Sequence, residues 1–316
     1  MVDSVTPVVD VVVVTYNSGR HVRACLEPLI GVPWVRIVVV DNASADDSVD
    51  VVSALGVTCL TESHNHGFAV ASNIGWRAGT GDYVLFLNPD ARIEIEDLAR
   101  LKQVLDDDVN VGIAAPRFFY SDGAPAHYLR RFPQLRSTYA RALFLHRILP
   151  RAASDEVIRD SAAYAASGPQ DWVPGACLLV RRSLLETLDG FDEGFFMYCE
   201  DKDLCKRAQD AGSCVWYEAS AACVHEGQAS APRTSLVPVL AASRVRYLEK
   251  HARRPAATAH RLGLALDALT RVVLARGGIE SRAAHARALA AIAGSSRYGS
   301  PPSPGTPTRT GATPTC

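Results

Sequence analysis

The chain lacks any apolar run approaching the roughly 18 residues that cross a bilayer, and its longest, Val8 to Val14, is interrupted by Asp10. Its start, Met-Val-Asp-Ser-Val-Thr-Pro, has neither a basic stretch nor a hydrophobic one ending in a small-residue cleavage site, so no secretory leader is expected. None of the eight cysteines (25, 59, 177, 199, 205, 214, 223 and 316) falls in a Cys-x-x-Cys pair, the usual spacing of a structural zinc site. Without a leader, they are expected to be reduced core thiols in a cytoplasmic protein. The 33 Lys and Arg are matched by 34 Asp and Glu, so there is no global basic field and nucleic acid is not an expected partner. Several chemistries are missing too. The first strand-like run ends in Thr-Tyr-Asn-Ser-Gly-Arg rather than Gly-x-Gly-x-x-Gly, and neither a Walker lysine loop nor a Gly-x-Ser-x-Gly elbow occurs. Hydride transfer, ATP-driven phosphoryl transfer and serine hydrolysis are thereby disfavoured.

What is present is a composition, 48% hydrophobic and 21% charged, that builds a core. At about 150 residues per domain, the length of 316 suggests two structural units or one large one. The first 120 residues alternate β-branched runs with helical patterns. Strands are expected at Val8 to Val14, Val35 to Val40, Val57 to Leu60 and Tyr83 to Leu87. These runs are continuously apolar, as in parallel strands covered on both faces. Helices are expected over Phe68 to Ala78, over Ile95 to Leu105, and after Ser44, a plausible N-cap followed by Asp46 and Asp47. The pattern is that of an α/β fold with a mostly parallel, doubly wound sheet. Further strands are expected at Gly112 to Pro116, Trp172 to Val180, Ser213 to Tyr217 and Ala221 to Val224. A helix is expected from Glu200 to Gly212, with helices again over 235 to 293. Residues from Gly294 on, rich in Gly, Pro, Ser and Thr, are expected to be a disordered tail.

Ligands of doubly wound sheets bind at the carboxyl ends of strands. Thr15-Tyr16-Asn17, Asp41-Asn42 and Asn88-Pro89-Asp90 all fall there. Asp41 could accept hydrogen bonds from a base or ribose, or serve as a turn former. Asn65-His66-Gly67-Phe68, with Asn73 and Gly75 beyond, places small residues where a helix begins, suiting either phosphate contact or tight packing on the sheet. Asp90 could hold a divalent cation against a diphosphate, or close an ordinary turn. In Gly190 to Arg207, aromatics precede Glu200, Asp201 and Asp203. These acids suit a first helical turn, yet Asp201 beside an aromatic wall could also take a proton. His225 ends another apolar run.

Together these segments resemble family 2 glycosyltransferases of the nucleotide-diphospho-sugar (GT-A) fold. The matching residues are Thr15-Tyr16-Asn17, Asp41-Asn42-Ala43-Ser44, Asn65-x-Gly67-Phe68-x-x-Ala71-x-Asn73-x-Gly75, Asn88-Pro89-Asp90, Trp172-Val173-x-Gly175-Ala176 and Glu200-Asp201-x-Asp203-Leu204. They cover roughly residues 8 to 230, and their order and spacing are more specific than any one of them. The run Gly190-Phe191-Asp192-Glu193-x-Phe195-Phe196-Met197-Tyr198-x-Glu200-Asp201 is most similar to the bacterial rhamnosyltransferase-like branch. The resemblance implies an inverting transferase that moves a sugar, L-rhamnose from dTDP-L-rhamnose first among them, to a glycan or polyprenyl-diphosphate-linked acceptor in cell-wall or polysaccharide assembly. Another UDP- or GDP-sugar, or a non-catalytic nucleotide-sugar or glycan-binding module, is the alternative.

The resemblance further implies that Thr15, Tyr16, Asn17 and Asp41 hold the base. Asn42, Asn65, Gly67, Asn73 and Asn88 would complete the nucleotide site. Asp90, with His225, would hold Mg²⁺ or Mn²⁺, Asn88 standing where the family's first Asp would be. Asp201 would be the base, and Trp172, Gly175, Ala176 and Glu200 would face the acceptor. The implied organisation is a GT-A domain over 1–230, with a nucleotide half at about 8–120 and an acceptor half at about 121–230. A helical extension over 231–293 and the tail over 294–316 follow. Residues Arg244 to Arg276 hold eight Lys or Arg against Glu249 and Asp267, with Leu262, Leu266, Leu269 and Val273 on one helical face. Such a helix suits peripheral contact with the inner face of the plasma membrane, or an ordinary packed surface.

Overall fold

The computed structural model describes residues 8–145, 156–227, 233–274 and 278–294. The expected tail lies almost wholly outside them. Four parallel strands, β1 (Val9–Thr15), β2 (Val35–Asp41), β3 (Thr58–Thr61) and β4 (Tyr83–Leu87), run in the order β3-β2-β1-β4. Their helices are α1 (Gly19–Leu26), α2 (Ser48–Ala54), α3 (Phe68–Arg77) and α4 (Ile95–Asp107). Alternate residues of β1 serve opposite faces. Val11 and Val13 pack with Val22, Leu26 and Leu98, while Val12 packs with Trp76 and Phe86. Both faces are covered, which is why the strand reads as an unbroken valine run.

Asp10, the one charge in that run, is fully buried and answered from three directions. Arg36 donates to it at 2.7 Å, the Gly81 amide at 2.8 Å, and Arg182 from beyond β4. A buried carboxylate is tolerable only when so paired. Here it stitches three segments together at the end of the sheet opposite the motifs.

Beyond β4 the sheet becomes mixed. β8 (Cys177–Arg181) pairs antiparallel with both β4 and β6 (Val111–Phe119). β9 (Cys214–His225) runs parallel to β6, with β5 (Ala91–Ile93) and β7 (Gly168–Pro169) antiparallel along it. The two strand pieces expected at 213–217 and 221–224 are one strand, bent by a register shift opposite Pro116 and Arg117. Strand structure expected from Trp172 begins only at Cys177, because Trp172 to Ala176 turn away to meet α7 (Glu200–Asp210). Nor does Ser44 cap a helix. α2 starts at Ser48, and Ser44 turns back to bond Asp41.

Of the remaining helices, α5 (Leu135–Ala142) follows β6 and α6 (Arg182–Leu188) follows β8. The chain closes with α8 (Arg233–His251), α9 (Arg254–Leu274) and α10 (Gly278–Ala293), where helices were expected. No helix among the described residues is long and apolar enough to cross a membrane.

Candidate active site

The register that sets Thr15 opposite Asp41 brings the ends of β1 and β2 together. Thr15 donates to Asp41 Oδ1 at 2.7 Å. Ser44 donates its hydroxyl to the same oxygen at 2.6 Å and its amide to Oδ2 at 2.8 Å. Asn17, at φ 53°, donates its amide to the Ser44 hydroxyl and accepts from Ala45. Asp41 is 2% exposed and Tyr16 37%, so the carboxylate is buried while the neighbouring tyrosine reaches solvent. Oδ2 keeps room for one more donor.

The next motif turns out to be a scaffold. Asn42 donates to the Gly67 carbonyl at 3.1 Å, and Asn65 accepts from the Gly67 amide at 2.8 Å. Gly67 has φ 86°, and a Cβ there would lie 2.2 Å from the Phe196 carbonyl oxygen. The Phe68 amide, first in α3, donates to that same carbonyl at 2.8 Å and so is taken from any phosphate. Asn73 is a plain correction. It is fully buried, and both its donors and both acceptor positions are spent on Phe191, Glu193 and Trp76. It holds the 191–193 loop rather than a ribose.

Asp90 and His225 do meet. β5 pairs with the end of β9 so that Ala91 faces His225, and Nε2 of the imidazole lies 3.2 Å from Asp90 Oδ1. Tyr128 OH lies 3.1 Å from the other ring nitrogen. No cluster of three or more His, Cys, Asp or Glu able to hold a metal occurs among the described residues. A carboxylate oxygen beside an imidazole nitrogen, each side chain 12% exposed, nevertheless suits a divalent cation such as Mn²⁺, whose other positions go to water and phosphate oxygens. The turn carrying Asp90 is anchored by the Asn88 amide, which donates to the Ala176 carbonyl at 2.9 Å.

From Ala176 the path to Asp201 is one residue long. The Gly175 amide donates to Asp201 Oδ2 at 3.0 Å, and the Lys202 amide to Oδ1 at 2.7 Å. A Cβ on Gly175 would come within 3.3 Å of the Asp201 Cβ, so the close approach favours glycine. Tyr198 and Cys199, at φ 70° and 67°, are two successive non-glycine residues in the left-handed region directly before α7. Such strain persists only where surroundings over-determine it. Ser243 of α8 supplies part of that restraint, donating to the Met197 carbonyl at 2.7 Å.

Burial pushes the Asp201 carboxyl above its ordinary value despite its two amide donors, leaving a stronger base. Burial raises Glu200 further, with the Asp201 charge adding to it, and Glu200 Oε2 has no hydrogen-bond partner. Asp203 has the opposite fate. Burial works against it, but the hydrogen bond from His251 and the charge of Arg207 hold it low. It is structural. Trp172 donates to the Arg131 carbonyl at 3.1 Å, and Lys202, nearly buried, lies 4.8 Å from its ring and 5.2 Å from that of Tyr247.

Tyr128, Ser44, Lys202 and the Phe196 carbonyl belong to this site without having been singled out for it from sequence. Ser44 sat inside a quoted motif. So did Phe196, though nothing local marked its carbonyl, and Tyr128 carries no local signal because its partner His225 is distant in the chain.

The sequence profile described as glycosyl transferase family 2 matches residues 10–163. The chain is 31% identical over 235 residues to the N-acetylglucosaminyl-diphospho-decaprenol L-rhamnosyltransferase of Mycobacterium tuberculosis, covering 70% of this chain and 76% of that one. It is 30% identical over 165 residues to rhamnosyltransferase WbbL of Escherichia coli, covering 51% and 59%. Among solved structures, the mannosyltransferase PcManGT of Pyrobaculum calidifontis, in complex with GDP-Man and Mn²⁺, superposes with a TM-score of 0.57 at 19% identity. That match covers 91% of this chain and 86% of the other.

Proposed function

The chain belongs to glycosyl transferase family 2, and from this premise we propose that it transfers L-rhamnose from dTDP-L-rhamnose, with inversion, to a hydroxyl of a polyprenyl-diphosphate-linked sugar or related glycan. The observation that carries the chemistry is Asp201. Its carboxylate is fixed by the Gly175 and Lys202 amides and raised in basicity by burial, one residue along the chain from the Ala176 carbonyl that anchors the Asp90 turn. The names of two relatives support the donor.

In this reading the nucleotide base lies over Tyr16 and reaches the free acceptor position of Asp41, while Asn17 and Ser44 keep that wall in place. Asp90 and His225 hold the cation, which when bound offsets negative charge on the departing diphosphate. Trp172, Gly175, Ala176 and Glu200 border the acceptor. Asp201 takes the proton from the acceptor hydroxyl. The oxygen forms its bond to the anomeric carbon from the face opposite the leaving group, and the bond from that carbon to the diphosphate oxygen breaks, releasing the nucleoside diphosphate.

A thermal-shift panel tests the donor. dTDP-rhamnose, UDP-glucose, UDP-N-acetylglucosamine, UDP-galactose and GDP-mannose are each added with and without Mn²⁺ or Mg²⁺, since a ligand binding only the folded state raises the melting temperature. Metal-dependent stabilisation by dTDP-rhamnose alone is expected. Stabilisation by a UDP- or GDP-sugar instead overturns the donor.

A further inference from the structure

α9 buries one face and exposes another. Its inner face, Ala257, His260, Gly263, Asp267 and Ala268, packs inward. His260 Nδ1 lies 2.9 Å from the Thr138 hydroxyl, Tyr139 donates to the Ala259 carbonyl at 2.9 Å, and Thr270 to the Ala142 carbonyl at 3.1 Å. α9 is thus fixed against α5. On the opposite side Leu262, Leu269 and Val273 are 62%, 49% and 63% exposed, with Leu266 partly exposed between them. At 1.5 Å per residue this stripe runs for about 17 Å.

The charge of the helical segment that carries it is one-sided. Residues 233–294 hold eleven Lys and Arg against three Asp and Glu, whereas residues 1–232 hold 20 against 31. Arg253 and Arg254 at the start of α9, and Arg282 and Arg287 on α10, are exposed. A second copy of the chain docking through this face by a two-fold axis would bring like charge against like. An anionic bilayer complements both features, taking the leucines into the acyl boundary and the arginines among its headgroups.

We propose that the outer face of α9 is a seat on an anionic membrane, lying in the interface rather than spanning it. The inference deepens the reading above, since a lipid-linked acceptor resides in that surface. The seat is joined to the base through α8, whose Ser243 holds Met197 and whose Lys250 and His251 hold Asp203.

The test is co-sedimentation of the full chain with vesicles of phosphatidylglycerol and phosphatidylcholine against vesicles of phosphatidylcholine alone. Binding to the anionic vesicles only, weakening as salt rises, is expected. The combined substitutions Leu262→Gln, Leu269→Gln and Val273→Gln should lower partitioning about tenfold or more. Their exposed positions should leave the melting temperature and nucleotide-sugar binding unchanged, which also controls for folding. Equal binding to both vesicle types, no binding, or unaltered partitioning of the variant overturns the seat. So does a concentration-dependent dimer, seen by sedimentation velocity, that the substitutions dissolve. Donor turnover measured without vesicles reports on the transferase reading separately.

Discussion

Nε2 of His225 faces Asp90 Oδ1 at 3.2 Å while Tyr128 OH contacts the ring's other nitrogen at 3.1 Å. For the imidazole to offer Nε2 to a cation, its proton must sit on Nδ1 and be donated to the Tyr128 oxygen. An outer partner of this kind commonly accounts for 10–100-fold in metal affinity. Tyr128→Phe should therefore weaken Mn²⁺ binding in the presence of nucleoside diphosphate by about tenfold or more. His225→Ala should weaken it at least as much. Isothermal titration of Mn²⁺ checks both, and unchanged affinity in His225→Ala removes the imidazole from the site.

Asp201→Asn keeps the shape of the side chain and loses its basicity. Turnover should fall about 10²–10⁴-fold, the usual worth of a general base, with donor binding retained. The pH profile carries the sign. Burial raises the Asp201 carboxyl, so the acid limb of kcat/KM should lie above the ordinary carboxylate range and activity should grow as pH rises through it. Near-normal turnover of the variant, or an acid limb at or below the ordinary range, counts against the assignment.

The parallel half of the sheet was legible because its information is local. A valine run covered on both faces reads directly, and Thr15, Asp41 and Asp90 follow because strand ends are where ligands collect. The pairing of Asp90 with His225 was foreseen only through family resemblance, since the antiparallel β5–β9 contact that makes it is non-local. Asn73 misled for a related reason. Its motif places an asparagine in a helix but does not tell whether a ribose or Phe191, Glu193 and Trp76 use its four hydrogen-bonding positions. Ser44 misled because a serine followed by Asp46 and Asp47 is good N-capping chemistry, while its hydroxyl instead bonds Asp41 and accepts from the Asn17 amide at the β1 terminus.

Gly67 joins the two halves of the site, and nothing larger fits there. An added Cβ meets the Phe196 carbonyl at 2.2 Å in a backbone conformation, φ 86°, that side chains disfavour. Gly67→Ala should destabilise the fold by about 2–3 kcal/mol, combining strain with overpacking. It should also loosen the hydrogen bond between Phe68 and Phe196 that positions the segment before Asp201. Urea unfolding measures the first effect, and a drop in kcat larger than the change in donor KM identifies the second. A midpoint equal to that of the wild type contradicts the packing argument.

Asp192 binds the α8 helix to the loop before Asp201. Arg246 donates to one of its oxygens at 2.8 Å and Lys250 to the other at 2.7 Å. Burial opposes ionisation, but the hydrogen bond from Lys250, the Gly194 amide and Arg246 outweigh it, bringing the carboxyl from 3.8 down to about 2. A carboxylate whose value is lower folded than unfolded stabilises the protein above the unfolded value, and that contribution disappears as pH falls through the folded one. Asp192→Asn should therefore melt earlier than the wild type at neutral pH. The gap should hold until about pH 4 and close as pH falls toward about 2, where the wild-type carboxyl is itself protonated. Melting curves for both proteins across that range decide the point. A gap independent of pH would mean that shape rather than charge ties α8 to the loop before Asp201.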